Sequence, residues 1–344
     1  MKFNSGQIYV TLVAFLTTCV CRTAAFFDPV SIGVGISAFG YNLVKDQTYC
    51  RVVECCNDHN IPGNIKDLEK LLHSKLFGQH IVIKHLIAAL EAHFSSRSNS
   101  KKPLVISFHG TPGTGKNYVA DMIAQTLYKH GLKSKFVHKY LGRADFPLVD
   151  DTHKYTERIN REVREGIANC PRSLFIFDEV DKMPPGVFES LASLVDYNAV
   201  VEGQDYTKAI FIFLTNTAGV QISDRLGKLM KEGRYREDSK LSDFEQILQI
   251  AAYNLEGGLK KTSLIEAHVI DHYFPFLPLE KSHVIKCLEE EFWRWGVVPK
   301  KAAMNNIIEN VISYDRNYRL FATSGCKTLE KKVAVEVMVS KGIN

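Results

Sequence analysis

The chain has 344 residues, 45% of them hydrophobic and 24% charged, which allows a large buried core and argues against a disordered chain. Its formal net charge of +5 falls to about +3 once a leader carrying Lys2 and Arg22 is subtracted. A net charge so weak and so dispersed does not imply nucleic-acid binding, so no nucleic-acid partner is expected.

At the N-terminus, Met1-Lys2 precedes an apolar run over residues 8–20, and Thr23-Ala24-Ala25 offers small residues for cleavage. Residues 1–25 therefore read as a secretory signal, with an apolar run too short to be a membrane span. Residues 26–41 open with Phe26-Phe27 and stay apolar and glycine-containing to Tyr41. Composition leaves two readings open: the first core helix of a domain, or a segment lying in one leaflet of a membrane, with the glycines weakening a water-exposed helix. A polar, cysteine-bearing lead-in occupies residues 42–64. Outside the signal the cysteines are Cys50, Cys55, Cys56, Cys170, Cys287 and Cys326. None has the paired spacing of a zinc site, and their number fits an oxidising compartment. No Asn-x-Ser/Thr sequon and no terminal Lys-Asp-Glu-Leu occurs, so retention in a lumen is expected to rest on the membrane segment or on partners.

Helices are expected at residues 66–76 and 79–94, followed by a polar loop at 95–102. Leu104-Val105-Ile106-Ser107-Phe108 reads as a buried strand, residues 118–129 as a helix with Val119, Ile123 and Leu127 on one face. Between them stands Gly110-Thr111-Pro112-Gly113-Thr114-Gly115-Lys116-Asn117, a phosphate-binding loop. Glycines let backbone N–H groups turn around the α- and β-phosphates, and Lys116 can reach the β- and γ-phosphates. The next position normally offers a hydroxyl to Mg²⁺; Asn117 brings an amide oxygen instead. Mg²⁺ is therefore expected to be held by Asn117 and Asp178 partly through water.

A strand at 135–139 leads into Tyr140-Leu141-Gly142, which reads as a strand end more readily than as an aromatic loop gripping a threaded polypeptide. A helix is expected at 153–169. Ser173-Leu174-Phe175-Ile176-Phe177-Asp178-Glu179 is an apolar strand ending in two carboxylates: Asp178 to hold the metal or its water shell, Glu179 to orient and deprotonate the attacking water. The alternative, acidic capping of a helix, loses to the phosphate loop upstream. A helix at 186–197 precedes a third strand at 209–214, which delivers Thr215-Asn216 at its C-terminal end, where Asn216 faces the γ-phosphate and the lytic water. A helix follows at 242–253. His268 and His272 have i,i+4 spacing on a possible helix but no third ligand, and read as ordinary surface or core histidines. Lid helices are expected at 281–295, 300–313 and 328–339. Ser324-Gly325-Cys326-Lys327 opens the last of these, and a lysine there opposes the helix dipole unless a phosphate is bound.

Together these features resemble the AAA+ ATPases and, within them, the torsins. The motifs are Phe77-Gly78-Gln79-His80, the loop ending in Lys116-Asn117, Phe175-Ile176-Phe177-Asp178-Glu179, Phe213-Leu214-Thr215-Asn216, Pro275-Phe276-Leu277-Pro278-Leu279-Glu280 and Gly325-Cys326-Lys327. Lys-Asn and Gly-Cys-Lys are the specific ones, and the resemblance runs from about Tyr49 to the C-terminus. Thr111-Pro112 departs from the Trp-Thr of many torsins without disturbing phosphate chemistry.

The resemblance implies an α/β AAA+ fold: a central parallel sheet flanked by helices over residues 65–274, with a small helical lid over 275–344. It places ATP on Gly110, Thr111, Pro112, Gly113, Thr114, Gly115 and Lys116, the catalytic acid pair at Asp178 and Glu179, sensor 1 at Asn216 and sensor 2 at Lys327. It implies a membrane-associating segment at 26–41 and a location in the lumen of the endoplasmic reticulum and nuclear envelope. It pairs Cys287 with Cys326, and a second disulfide is expected between Cys50 and Cys170. AAA+ rings complete each site with an arginine from a neighbour, yet none stands between Arg236 and Arg294. Torsins share that gap and receive the arginine from a membrane-anchored activator with an AAA+-like luminal domain. The expected function is thus a slow ATPase, activated in trans, acting in a chaperone-like way on membrane-linked protein complexes, with self-assembly. Two alternatives remain: a nucleotide-gated, homo-assembling scaffold on the luminal membrane face, and a secreted disulfide protein with a relic pocket.

Overall fold

The computed structural model describes residue 50 and residues 53–95, 100–197, 200–201, 203–254, 257–259, 262–266 and 268–340. The expected signal and the segment 26–41 lie outside the described residues. The chain divides into two compact units, residues 1–55 and 56–344. In the first, the described residues carry a disulfide between Cys50 and Cys55; the strands and helices below belong to the second.

Two helices, α1 (Ile65–Lys75) and α2 (His80–Phe94), lead into β1 (Leu104–His109) and α3 (Lys116–Leu127). Next come β2 (Val137–Leu141), the single turn α4 (Gly142–Asp145), α5 (Thr152–Asn169), β3 (Leu174–Asp178) and α6 (Glu189–Val195). A short hairpin, β4 (Val200–Val201) with β5 (Gln204–Asp205), precedes β6 (Ile210–Thr215) and α7 (Gly219–Lys231). The second half of the unit holds α8 (Glu245–Asn254), α9 (Ser263–Glu266), β7 (His272–Pro275) and the C-terminal helices α10 (Lys281–Arg294), α11 (Lys301–Val311) and α12 (Leu329–Ser340).

Five strands form one parallel sheet in the order β2-β3-β6-β1-β7. Both faces are covered, which is why β1, β3 and β6 read as unbroken apolar runs rather than alternating ones. Successive side chains still point to opposite faces. Ile106, Phe108, Ile176, Ile212 and Leu214 pack on one side with Leu68, Leu72, Leu86, Val119 and Ile123 from α1, α2 and α3. Phe175, Phe177, Phe211 and Phe213 pack on the other with Ile159, Val163, Leu191 and Leu194 from α5 and α6. On that second face the rings stack across strands: Tyr140 on Phe177 at 4.9 Å, Phe177 on Phe213 at 5.2 Å. Tyr140 is thus a core residue in β2, and the strand reading of Tyr140-Leu141-Gly142 holds.

The C-terminal helices have their own apolar core, in which Val284, Leu288 and Phe292 of α10 meet Ile307, Ile308, Leu329, Val333 and Val337. Three readings need correction. His272 lies on the edge strand β7 and His268 in a turn with φ +51°, so they share no helix face; the sheet claims residues 272–275 because β1 offers its free edge. Lys327 precedes α12, which begins at Leu329. The partner of Cys170 is Cys56, with Cα atoms 5.4 Å apart, a normal disulfide span. Cys50 is instead taken by Cys55, five residues on.

Candidate active site

Because the sheet is parallel, β1, β3 and β6 all deliver their C-terminal ends to the same edge, where open α/β sheets bind ligands. There the phosphate loop, the acid pair and Asn216 line one cleft of about 590 Å³. Helix α10 and the turn before α12 close its far side with Cys287, Cys326 and Lys327.

The loop's backbone explains its glycines. Gly110, Gly113 and Gly115 have φ of +156°, +79° and +105°, conformations open to glycine at little cost. Space is equally restrictive. A Cβ at Gly113 would run into the Ser324 carbonyl, and one at Gly115 would meet Leu76. The Gly113 carbonyl accepts a hydrogen bond from the Cys326 N–H at 3.0 Å, so the Gly-Cys-Lys turn rests directly on the phosphate loop. Thr114 Oγ1 donates to the Thr111 carbonyl at 2.8 Å and tightens the turn over Pro112.

Lys116 is buried. Its ammonium donates to the carbonyls of Gly110 at 2.6 Å and Thr111 at 2.9 Å, and to Asn216 Oδ1 at 3.1 Å. Burial lowers its pKa to about 8; Asp181 and Asp178 oppose that fall, and Lys327 adds to it. Among the described residues no carboxylate lies within ion-pair distance of Lys116 or Lys327. Two cations without counter-ions, one glycine cradle and the N-terminus of α3 make a site that fits a polyphosphate.

On the other wall, Asn117 Nδ2 donates to Asp178 Oδ2 at 2.5 Å. Burial raises the Asp178 pKa, against the pull of Lys139, the Glu179 N–H and the Asn117 amide. Lys139 is itself paired with Asp121 of α3 at 3.0 Å. The described residues hold no cluster of three or more metal-ligating side chains. Such a sparse donor set suits Mg²⁺, which takes one or two carboxylates and fills its shell with phosphate and water. Glu179 sits at φ +54°, an uncommon conformation for a non-glycine residue that often marks a functional position. Its carboxylate lies 3.7 Å from Arg143 Nε, and the Gly142 backbone packs so closely on its carbonyl that a Cβ there would collide.

Several residues that the sequence left in the background hold this edge together. Gln79 is buried and donates to the carbonyls of Thr114 at 3.1 Å and Leu277 at 2.8 Å, while its own oxygen accepts from the Leu277 N–H at 2.8 Å. It thereby staples the phosphate loop to the segment after β7. Arg236, 3% exposed, donates to the carbonyls of Pro278 and Gly78 and to Glu280. Beneath the loop, His109 is fully enclosed between Ser107 and Thr217, and burial drives its pKa down to about 3. Asp181 accepts from the Asn216 N–H at 3.1 Å. Of these, only the Gln79 motif carried a signal in the sequence.

The Torsin family model matches residues 50–177. A torsin-like protein of Drosophila melanogaster is 59% identical over 315 residues, covering 90% of this chain and 92% of the relative. A torsin-like protein of Caenorhabditis elegans is 33% identical over 307 residues, covering 88% and 86%. Among solved structures, the S. cerevisiae Hsp104–ADP complex aligns with a TM-score of 0.54 at 17% identity. The closed state of Hsp104 with ATPγS and FITC casein aligns with a TM-score of 0.55 at 16%. Each alignment covers 82% of this chain and 48% of the Hsp104 chain, so the chain spans about half of those proteins and shares their fold. With a parallel sheet that brings these motifs to one edge and relatives this similar along most of its length, the chain belongs to the torsin family of AAA+ ATPases.

Proposed function

We propose that this chain binds ATP with Mg²⁺ in the cleft and hydrolyses it slowly on its own, with full turnover awaiting an arginine from a partner. The observation that carries the reading is a buried Lys116, lacking any carboxylate partner among the described residues, beside Asn117 and Asp178 joined by a hydrogen bond. Gly113 and Gly115 offer backbone N–H groups to the phosphates, and Lys116 and Lys327 supply positive charge from the core and the lid. Asn216 and Glu179 orient water, and Glu179 takes its proton. Bound Mg²⁺ would neutralise charge on the β- and γ-phosphates.

The chain's own arginines near the site are engaged. Arg236 is buried in its backbone contacts, Arg143 faces Glu179 and Arg294 pairs with Glu291 at 3.1 Å. A guanidinium supplied in trans is worth about 10³ to 10⁵ in rate where such fingers have been measured. In this reading the donor is a membrane-anchored activator with an AAA+-like luminal domain. The protein assembles with itself and acts on membrane-linked protein complexes at the luminal face of the endoplasmic reticulum and nuclear envelope. Three disulfides support an oxidising compartment. No described helix is long and apolar enough to cross a membrane.

A second reading, a nucleotide-gated scaffold in which hydrolysis is incidental, draws on the hydrogen bond between Cys326 and Gly113. A nucleotide that rearranges the loop would also move the lid. Glu179→Gln separates the two: it should trap an ATP-bound, partner-bound state and abolish function if turnover matters, and leave function intact if only binding does.

A further inference from the structure

We propose that Asp181 is a positioning residue for hydrolysis: its carboxylate holds Asn216, and through Asn216 the Lys116 ammonium, in register with the phosphate loop. The proposal rests on the reading of the cleft as an ATPase site. Asp181 lies in the 3-10 turn Val180–Lys182, directly after Glu179. Its Oδ1 accepts from the Asn216 N–H at 3.1 Å and from Thr215 Oγ1 at 3.4 Å. Its Oδ2 is 3.0 Å from Lys182 Nζ, and its side chain is only 9% exposed. Asn216 Oδ1 in turn accepts from Lys116 Nζ at 3.1 Å. One chain of hydrogen bonds thus joins the turn after β3, the end of β6 and the lysine of the loop after β1.

The anchor for that chain is itself fixed. The Gly258 N–H donates to the Val180 carbonyl at 2.8 Å, and the Lys182 N–H to the Glu179 carbonyl at 2.8 Å. Gly257 packs so tightly that a Cβ would stand 2.5 Å from the Asp181 Cα. Burial works against the Asp181 charge, but the Asn216 N–H and Lys182 outweigh it and hold its pKa below the usual carboxylate value. A buried carboxylate that only capped a strand end could take any free N–H. This one takes the N–H of the residue whose side chain reaches Lys116, so a displaced Asn216 carries its displacement to the reacting end of the cleft.

The test is single-turnover hydrolysis of ATP by the full chain, with affinity for a fluorescent ATP analogue measured beside it. Asp181→Ala should slow hydrolysis by about tenfold to a hundredfold, while analogue affinity changes by less than about threefold. Asp181→Asn, which keeps an Oδ1 acceptor, should recover most of the rate. In an Asn216→Ala background, Asp181→Ala should cost nothing further, because the residue it acts through is gone. An equal loss of rate in that background, or a loss of analogue binding in step with the rate, would overturn the proposal in favour of a purely structural role. If Asp181→Ala does not fold, Asp181→Ser carries the same comparison. If the unaltered chain and Lys116→Ala hydrolyse ATP alike, the ATPase reading fails as well, whatever the Asp181 variants do.

Discussion

At Lys116 burial and charge compete: the ammonium is enclosed by the loop it serves, and only neutral oxygens meet it. Replacing it with alanine should abolish ATP binding with little loss of folding, as read by a fluorescent analogue and a melting curve. Glu179→Gln removes the proposed base and keeps the shape. Its hydrolysis should fall by about 10²- to 10⁴-fold with ATP affinity preserved, and parallel loss of both would contradict its role. Asn117→Thr should shift the Mg²⁺ dependence of binding if the amide holds the metal through water; an unchanged dependence would remove that account. That these residues share one cleft was readable from sequence because phosphate chemistry demands glycines, a lysine and acids at fixed offsets. Asp181 and Arg143 were not, since their contacts with Asn216 and Glu179 join segments far apart in the chain.

Elements were legible where burial is two-sided or periodic. Residues 104–108 and 209–214 were expected as strands and are found at Leu104–His109 and Ile210–Thr215; the lid helices fall within one or two residues of expectation. β7 was missed because its alternation is short and mixes histidine with aromatics; pairing with β1 makes it a strand. The expected Cys50–Cys170 disulfide is not found, because spacing does not assign a partner and the fold brings Cys56 to Cys170. Closing a separation of 114 residues, the Cys56–Cys170 bond should contribute about 4 kcal/mol, against less for the five-residue Cys50–Cys55 loop. Cys170→Ser should therefore lower Tm more than Cys50→Ser. Gln79→Ala leaves two carbonyls and an N–H without their partner and should cost about 1 to 3 kcal/mol in a urea titration. The Cys287–Cys326 bond ties α10 to the turn on the phosphate loop, so reducing it should change ATP affinity; equal affinity before and after would show that the lid is held by packing alone.

Across the whole molecule, histidines buried in neutral form set an acid limit. Burial takes His109 from the ordinary 6.5 to about 3 and, with Arg236 and Lys286 nearby, His283 to about 4. The unfolded chain binds these protons below about pH 6.5 while the fold does not, so stability is complete above that pH and declines as pH falls toward 4. Tm should drop across that window, and His283→Gln should flatten part of the slope. The central claim concerns turnover: under the proposed function the cleft is an ATPase site completed by a guanidinium from a partner. Its most direct test is the rate of ATP hydrolysis by the purified protein, alone and with an AAA+-like activator domain, with Lys116→Ala as the blank. The account predicts a slow rate alone, a large stimulation by the activator, and loss of that stimulation when the activator's arginine is replaced. Tight ATP binding with no stimulation, or full turnover by the isolated chain, would contradict it.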